Sequence, residues 1–300
     1  MFSIIIPTLN NVNYLKLCID SIKKNSNFNH EIIVHVNQGT DGTLEYLNEN
    51  NIKYTYTEYN SGICYAVNTA AKKATTDYIL YAHDDFYFCP EWDLSLNDEI
   101  TKLPDNLFYL SGTMVQNGQV ELDCGDSIEN FDEIKLLNNY KNIDFYDFQG
   151  STWAPHLIHR EIWNRVGGLS EEFFPGTGSD PDLNMKLWII GVRVFKGLQN
   201  CKVYHFGSIV TRKYKKINKT AVTESGSKGG KIFLLKWGIK IKFFTKYYLN
   251  GCVSKNNKIF CKEYDGPLRD PKLSFIYIIE LFLNKLSFLY YKLFLKNEKN

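Results

Sequence analysis

The sequence predicts an α/β protein: a mostly parallel sheet flanked by helices, followed by a helical C-terminal extension. Three observations carry this. Short apolar runs alternate with amphipathic stretches of helical period before residue 92. Polar turns rich in Asn, Thr, Ser and Gly separate them. The fourth run ends in two adjacent carboxylates, Asp84 and Asp85.

Ser3 to Ile6 is the first strand, stopped by Pro7. Asn10 or Asn11 then caps a helix on which Leu15, Cys18, Ile19 and Ile22 repeat at i, i+3, i+4, i+7. Glu31 to Val36 is a second strand, running into the polar turn from Asn37 to Thr43 and a short helix that buries Leu44 and Leu47. Ile52 to Tyr56 alternates as a third strand. From Asn60-Ser61-Gly62 a helix carries Ile63, Ala66, Val67, Ala70 and Ala74 on one face. Tyr78 to Ala82 has the length and β-rich composition of a buried strand and ends in His83-Asp84-Asp85.

The pattern then changes. Leu107 to Val115 reads as a strand, with Asn117-Gly118 as a hairpin turn before Val120 to Leu122. Acidic, loop-like sequence leads to the segment Gln149 to His156, which holds Trp153. Arg160 to Val166 is a helix closed by Gly167-Gly168. Ser179-Asp180-Pro181-Asp182 opens another, with Asp180 at the N-cap and Pro181 at the first helical position. Val192 to Phe195 and Cys201 to Phe206 are two strands, the second carrying His205.

Beyond lie a basic run, Thr211 to Lys216, and the stretch Ser225 to Gly230, which reads as a flexible hinge. Aromatic-rich helices follow around Ile232–Leu249 and Leu273–Leu295. Glu280, Asn284 and Lys285 make the last a poor membrane span. Its apolar circumference implies burial on more than one side, against the catalytic region, another subunit or a membrane interface.

Composition narrows the function. With 35 Lys and Arg against 33 Asp and Glu in 300 residues, nucleic acid is not indicated. Twenty Tyr and 20 Phe suit a large core, sugar-stacking platforms or a membrane-facing surface. Seven scattered cysteines without a CxxC spacing suggest neither a zinc site nor a disulfide framework. The N-terminus lacks a basic lead and a long apolar core, so it is read as a strand and not as a signal peptide, and the expected setting is cytoplasmic.

Two adjacent carboxylates after a buried strand are costly unless a cation sits beside them. In open α/β sheets ligands collect at the carboxyl ends of the strands. Asp84-Asp85 therefore reads as a divalent-metal site facing a diphosphate, with a solvated turn as the plain alternative. Asp180 serves as a cap, a general base or both; a helix N-terminus favours the ionised form and places its pKa below neutrality. Trp153 is either a sugar platform or core, and His205 either a metal ligand or a buried strand histidine.

Taken together and in this order, IIIPTLN, the TDGT turn, NSGICYAVN, the DD pair, VGGLSEEFFPGTGSDPDL and VYHFGS resemble family 2 glycosyltransferases of the GT-A fold over Phe2 to Ser208. The resemblance implies an enzyme that moves a sugar, with inversion, from a nucleotide-sugar to a saccharide acceptor hydroxyl, assisted by Mn²⁺ or Mg²⁺. It divides the chain into a catalytic region, 1–210, and an extension, 211–300. It makes Asp85 and His205 metal ligands and Asp180 the base, with Asp182 as substitute. Donor contacts fall to Thr8, Asn10, Asn37, Asn60, Gly62 and Asp84, and acceptor stacking to Trp153. Asn37 stands where the family has an aspartate, and Ser179 where it has a glutamate. Arg212 and Lys213 belong to a diphosphate lid, to a surface meeting anionic lipid, or to a solvated loop. Peripheral membrane contact through the C-terminal helices fits lipid-linked acceptors. A nucleotide-sugar-forming nucleotidyltransferase and a non-catalytic binding module are the competing functions. The first of these lacks its Gly-rich basic loop after the first strand.

Overall fold

The computed structural model describes residues 1–207, 219–255 and 258–297. Strands β1 (Ser3–Leu9), β2 (Glu31–Asn37), β3 (Lys53–Thr57) and β4 (Tyr78–Tyr81) form a parallel half-sheet in the order β3-β2-β1-β4. Helices α1 (Val12–Asn25), α2 (Thr43–Glu49) and α3 (Gly62–Ala71) connect them. The apolar residues of the sequence pattern, Ile4, Ile6, Leu15, Ile19, Val34, Val67 and Leu80 among them, lie in one core. Because all four strands run the same way, their polar C-terminal ends line one edge, with Leu9 paired to Asn37 and Ile5 to Tyr81.

The sheet continues with antiparallel and mixed pairing. β5 (Phe86–Phe88) and α4 (Trp92–Lys102) precede β6 (Phe108–Val115). After α5 (Glu133–Asn139) come β7 (Phe148–Gln149), β8 (His156–His159), α6 (Arg160–Val166), α7 (Ser179–Ile189) and β9 (Val194–His205). The order runs on as β4-β8-β6-β9-β5. β9 is one long strand where the sequence suggests two: a register shift between Gly112 and Thr113 of β6 takes up the residues between Leu198 and Lys202, so the strand runs on. Val120 to Leu122 forms no strand. The Asn117-Gly118 turn closes tightly, with Gln116 N–H donating to Val120 O and Val120 N–H to Met114 O.

The extension holds α8 (Lys219–Trp237), α9 (Ile241–Phe244) with a π-turn at Thr245–Leu249, the hairpin β10 (Val253–Lys255) and β11 (Lys258–Phe260), and α10 (Phe275–Asn297). The glycine stretch 225–230 lies inside α8 and is no hinge. Gly229 shows why: a Cβ there would stand 2.0 Å from Thr177 O, so its bare backbone lets α8 seat on the loop before α7. Phe233, Phe243, Phe244 and Leu249 join the same core as the sheet. Cys252 and Cys261 form a disulfide across the hairpin, a single bridge where the scattered cysteines suggest no disulfide framework. The basic run 211–216, with Arg212 and Lys213, lies outside the described residues.

Candidate active site at the strand ends

The Asp84-Asp85 pair is set by two neighbouring elements. Thr8, near the end of β1, donates its hydroxyl to Asp84 Oδ2 at 2.7 Å, and both groups are buried. Immediately after Asp85 the chain enters β5, which pairs antiparallel with β9 so that Phe86 lies opposite His205. Asp85 thereby comes to the side of His205, with Oδ1 and Nε2 3.7 Å apart. His83 stacks on Phe86 at 4.8 Å, its ring 5.9 Å from that of His205.

His83, Asp85 and His205 each offer one ligand atom, and these atoms all lie within 4.8 Å of one another. An ion held at about 2.0–2.2 Å by each ligand keeps its ligand atoms about 3–4.4 Å apart, so closure by a few tenths of an ångström completes the set. The His205 Nδ1 lies 3.4 Å from Asn117 O, while its backbone carbonyl accepts from the Asn117 amide at 2.9 Å. With Nδ1 protonated toward Asn117, Nε2 is the nitrogen left to bind, an arrangement common among metal-bound imidazoles. Burial pushes His83 down to about 4, so it is neutral at pH 7, the ligating form. His83 is the residue that sequence reasoning passed over. It stands in the first place of the aspartate motif, and an imidazole followed two residues later by a carboxylate was the available signal.

The other predicted residues fall along the same edge. Asn37 is buried, and its side-chain oxygen accepts from Ser61 N–H at 2.8 Å and Ser61 Oγ at 2.7 Å. That bond ties the end of β2 to the turn before α3. Asn60 accepts from Gly62 N–H, and Gly62 takes φ +79° where a Cβ would meet Phe174. Asn10 accepts from Thr40 N–H at 2.8 Å and joins the first turn to the second. Trp153 is half-buried against the core and lines a small cleft with Gln119, Thr152, Thr245 and Gly251.

Asp180 and Asp182 differ sharply. The helix begins two residues earlier than expected: Gly178, left-handed at φ +93°, is the N-cap, and Asp180 is the second helical residue, with no side-chain capping bond. Asp180 is half-buried, and no hydrogen bond to its carboxylate occurs among the described residues. Desolvation raises it to about 7, opposite to the expected depression, because burial outweighs the helix N-terminus. Asp182 is fully buried and saturated. It accepts from Ser170 Oγ at 2.5 Å and Trp237 Nε1 at 2.8 Å, and pairs with Lys236 at 2.9 Å. The Tyr81 phenol is pushed well above its ordinary value by burial, then by Asp180, with Asp84 and Asp85 adding to it. The α7 carboxylate and the aspartate pair therefore share one neighbourhood around Tyr81.

A parallel half-sheet whose strand ends gather an aspartate pair, two histidines and a lone desolvated carboxylate defines the class of GT-A glycosyltransferase folds. The model of glycosyl transferase family 2 matches residues 3–162, and the chain belongs to that family. The match ends before Asp180 and His205. Among solved structures, residues 1–349 of TarS from S. aureus align with a TM-score of 0.51 at 21% identity, over 68% of this chain and 60% of that one. The same TarS fragment in complex with UDP-GlcNAc aligns at 0.50 and 19% identity, over 68% and 57%. At these identities the likeness is one of fold, and this chain spans about 60% of the TarS fragment's length. No curated protein matches the chain.

Proposed function

We propose that the protein is an inverting glycosyltransferase that takes a sugar from a nucleoside-diphosphate donor to a saccharide hydroxyl, with Asp180 as general base. The observation that carries this is the gathering, where the parallel strands end, of Asp84 bonded by Thr8, of His83, Asp85 and His205, and of the loop before α7, whose Pro175 carbonyl accepts from Ile63 N–H at the start of α3. Asp180 removes the acceptor proton while the acceptor oxygen bonds to the anomeric carbon. The bond from that carbon to the diphosphate oxygen breaks, and the nucleoside diphosphate leaves with the electron pair. A carboxyl near 7 is matched to this task, being half ionised at neutral pH and basic enough to hold a proton. Asp182, with all its partners in the protein, supports the turn instead.

His83, Asp85 and His205 would hold a divalent cation, which would offset negative charge on the departing diphosphate. Two imidazoles and one carboxylate favour Mn²⁺ over Mg²⁺, which prefers oxygen ligands. Asp84, fixed by Thr8, faces the donor ribose or sugar. Asn37 acts on the donor through the Ser61 turn, with Asn10, Asn60 and Gly62 shaping the same wall. Trp153, Arg212 and Lys213 keep their weaker assignments to acceptor and diphosphate, and residues 1–210 their assignment as the catalytic region.

The test is a thermal-shift screen of nucleotide-sugars with and without Mn²⁺. A donor at 100 times its Kd raises stability by about 2.7 kcal/mol. The matching donor should shift wild type and Asp180→Asn alike, while release of nucleoside diphosphate occurs only with wild type. Full activity in chelator, or equal turnover by Asp180→Asn, defeats the reading.

A further inference from the structure

Helix α10 meets the rest of the chain along one narrow side. Tyr277 is buried there, its ring 5.1 Å from Phe243 and 5.0 Å from Tyr247. Asn284 is also buried, accepting from Lys240 N–H at 2.7 Å, and Glu280 pairs with Lys246 at 2.6 Å. Within the chain, burial of the apolar circumference is confined to this one side. Phe275, Ile279, Phe282, Leu286, Leu289 and Leu293 are 43–79% exposed. Ile276, Ile278, Leu283 and Tyr290 widen this stripe and are equally open. At about 100° per residue these ten side chains cover an arc of about 160°, opposite the docked side.

Charge follows the same division. Residues 1–230 hold 21 Lys and Arg against 28 Asp and Glu, whereas residues 231–300 hold 14 against 5. Lys285 and Lys292 stand exposed along one border of the apolar arc. Among the described residues no helix is long and apolar enough to cross a membrane.

We propose that α10 is a docking surface for an anionic lipid bilayer, lying in the interface with its apolar arc in the acyl boundary and its lysines on the headgroups. An arc this wide exceeds the two-in-seven seam of a coiled coil. In a pair of such helices Lys285 and Lys292 would meet no carboxylate, because the one acid on the described helix, Glu280, already pairs within the chain. Apolar area and cationic attraction together set the strength of such a contact.

The full chain is sedimented with phosphatidylcholine vesicles, with and without phosphatidylglycerol. Wild type should partition at least about tenfold better onto the anionic vesicles and should be released by high salt. Lys285→Gln and Lys292→Gln should each weaken this roughly fivefold. Phe282→Ser combined with Leu286→Ser should abolish binding to both vesicle types with unfolding unchanged, since both side chains are exposed. If that pair disturbs folding, the lysine variants decide. Wild type remaining with the soluble fraction overturns the proposal. So does a dimer in ultracentrifugation that Phe282→Ser with Leu286→Ser dissociates while vesicles recover nothing, for the arc would then be a contact between copies.

Discussion

The sheet region and the C-terminal extension follow opposite rules. In the first, apolar side chains face inward along the central strands and the polar groups collect where strands stop, so that regular backbone alone brings Thr8, Asn37 and Asp84 to one edge. In the second, α10 turns its polar strip to the protein and its apolar arc outward. Helix α8 joins the two, with Gly229 against Thr177 and Trp237 on Asp182. Asp180 and Asp182 lie two residues apart on the seam and show the contrast at atomic scale. The extension saturates one and leaves the other desolvated. The extension is thus part of how the turn that carries Asp180 is held.

Substitutions can break this contrast, and the largest effect belongs to the sheet edge. Asp85→Ala should abolish metal-dependent turnover while unfolding stays cooperative; His83→Ala and His205→Ala should each weaken Mn²⁺ affinity about 10- to 100-fold in a metal titration. An unchanged titration for His83→Ala would return that residue to a stacking role on Phe86.

Next comes Asp180. Asp180→Asn should lower turnover by about 10²-fold or more with donor binding intact. Wild-type kcat/KM should rise with pH through about 7 and level off above it, since the base works ionised. Stability should move the other way. The folded carboxyl sits above its unfolded value of about 3.9, so its contribution is full below that value and is lost as pH rises through about 7. Asp180→Asn should therefore unfold at a higher temperature than wild type at pH 8, and at a similar one at pH 4. A variant less stable at pH 8 would mean the carboxylate has a partner.

Asp182→Ala should do the reverse, costing about 2–3 kcal/mol by leaving Trp237 and Ser170 without their acceptor and Lys236 with Glu172 alone of its two carboxylates. Below its lowered melting point it should keep turnover within a few-fold; a selective loss of kcat would make it the base. The smallest effect sharpens the join. Gly to Ala inside a helix ordinarily stabilises by about 0.5–1 kcal/mol. At Gly229 the added Cβ meets Thr177 O, so the sign should invert, as chemical denaturation can measure.

The parallel half was legible because strand and helix periods alternate cleanly there, and the aspartate pair was legible from its place after a buried strand. What failed was composition overridden by tertiary contact. Ser225 to Gly230 has a loop's residues, yet it is helical, and Gly229 serves close approach between α8 and the Thr177 turn. Gly197 and Asn200 look like strand breakers, but Gly197 pairs with Ser111 and residues 199–201 bulge between Leu198 and Lys202, so β9 continues past them. Asp180 looked like a capping acid with a low pKa because the Asp-Pro pair drew the helix start two residues too late and sequence does not show the desolvation around the carboxylate. His83 was missed because a motif defined by carboxylates drew attention to the carboxylates alone.

The Asn284 bond to Lys240 N–H has one more consequence. An apolar cylinder offers the chain no preferred rotation: rolled by a quarter turn, α10 would find other leucines and phenylalanines to pack. A single buried amide with one acceptable partner makes the rotations unequal, much as one polar residue sets alignment in a coiled coil. Asn284 thus acts as a key, deciding which side of the helix the molecule keeps for itself. Cut to leucine, the helix should keep its grip through Tyr277 but lose one of the two polar contacts, with Glu280–Lys246 the other, that decide which way it faces.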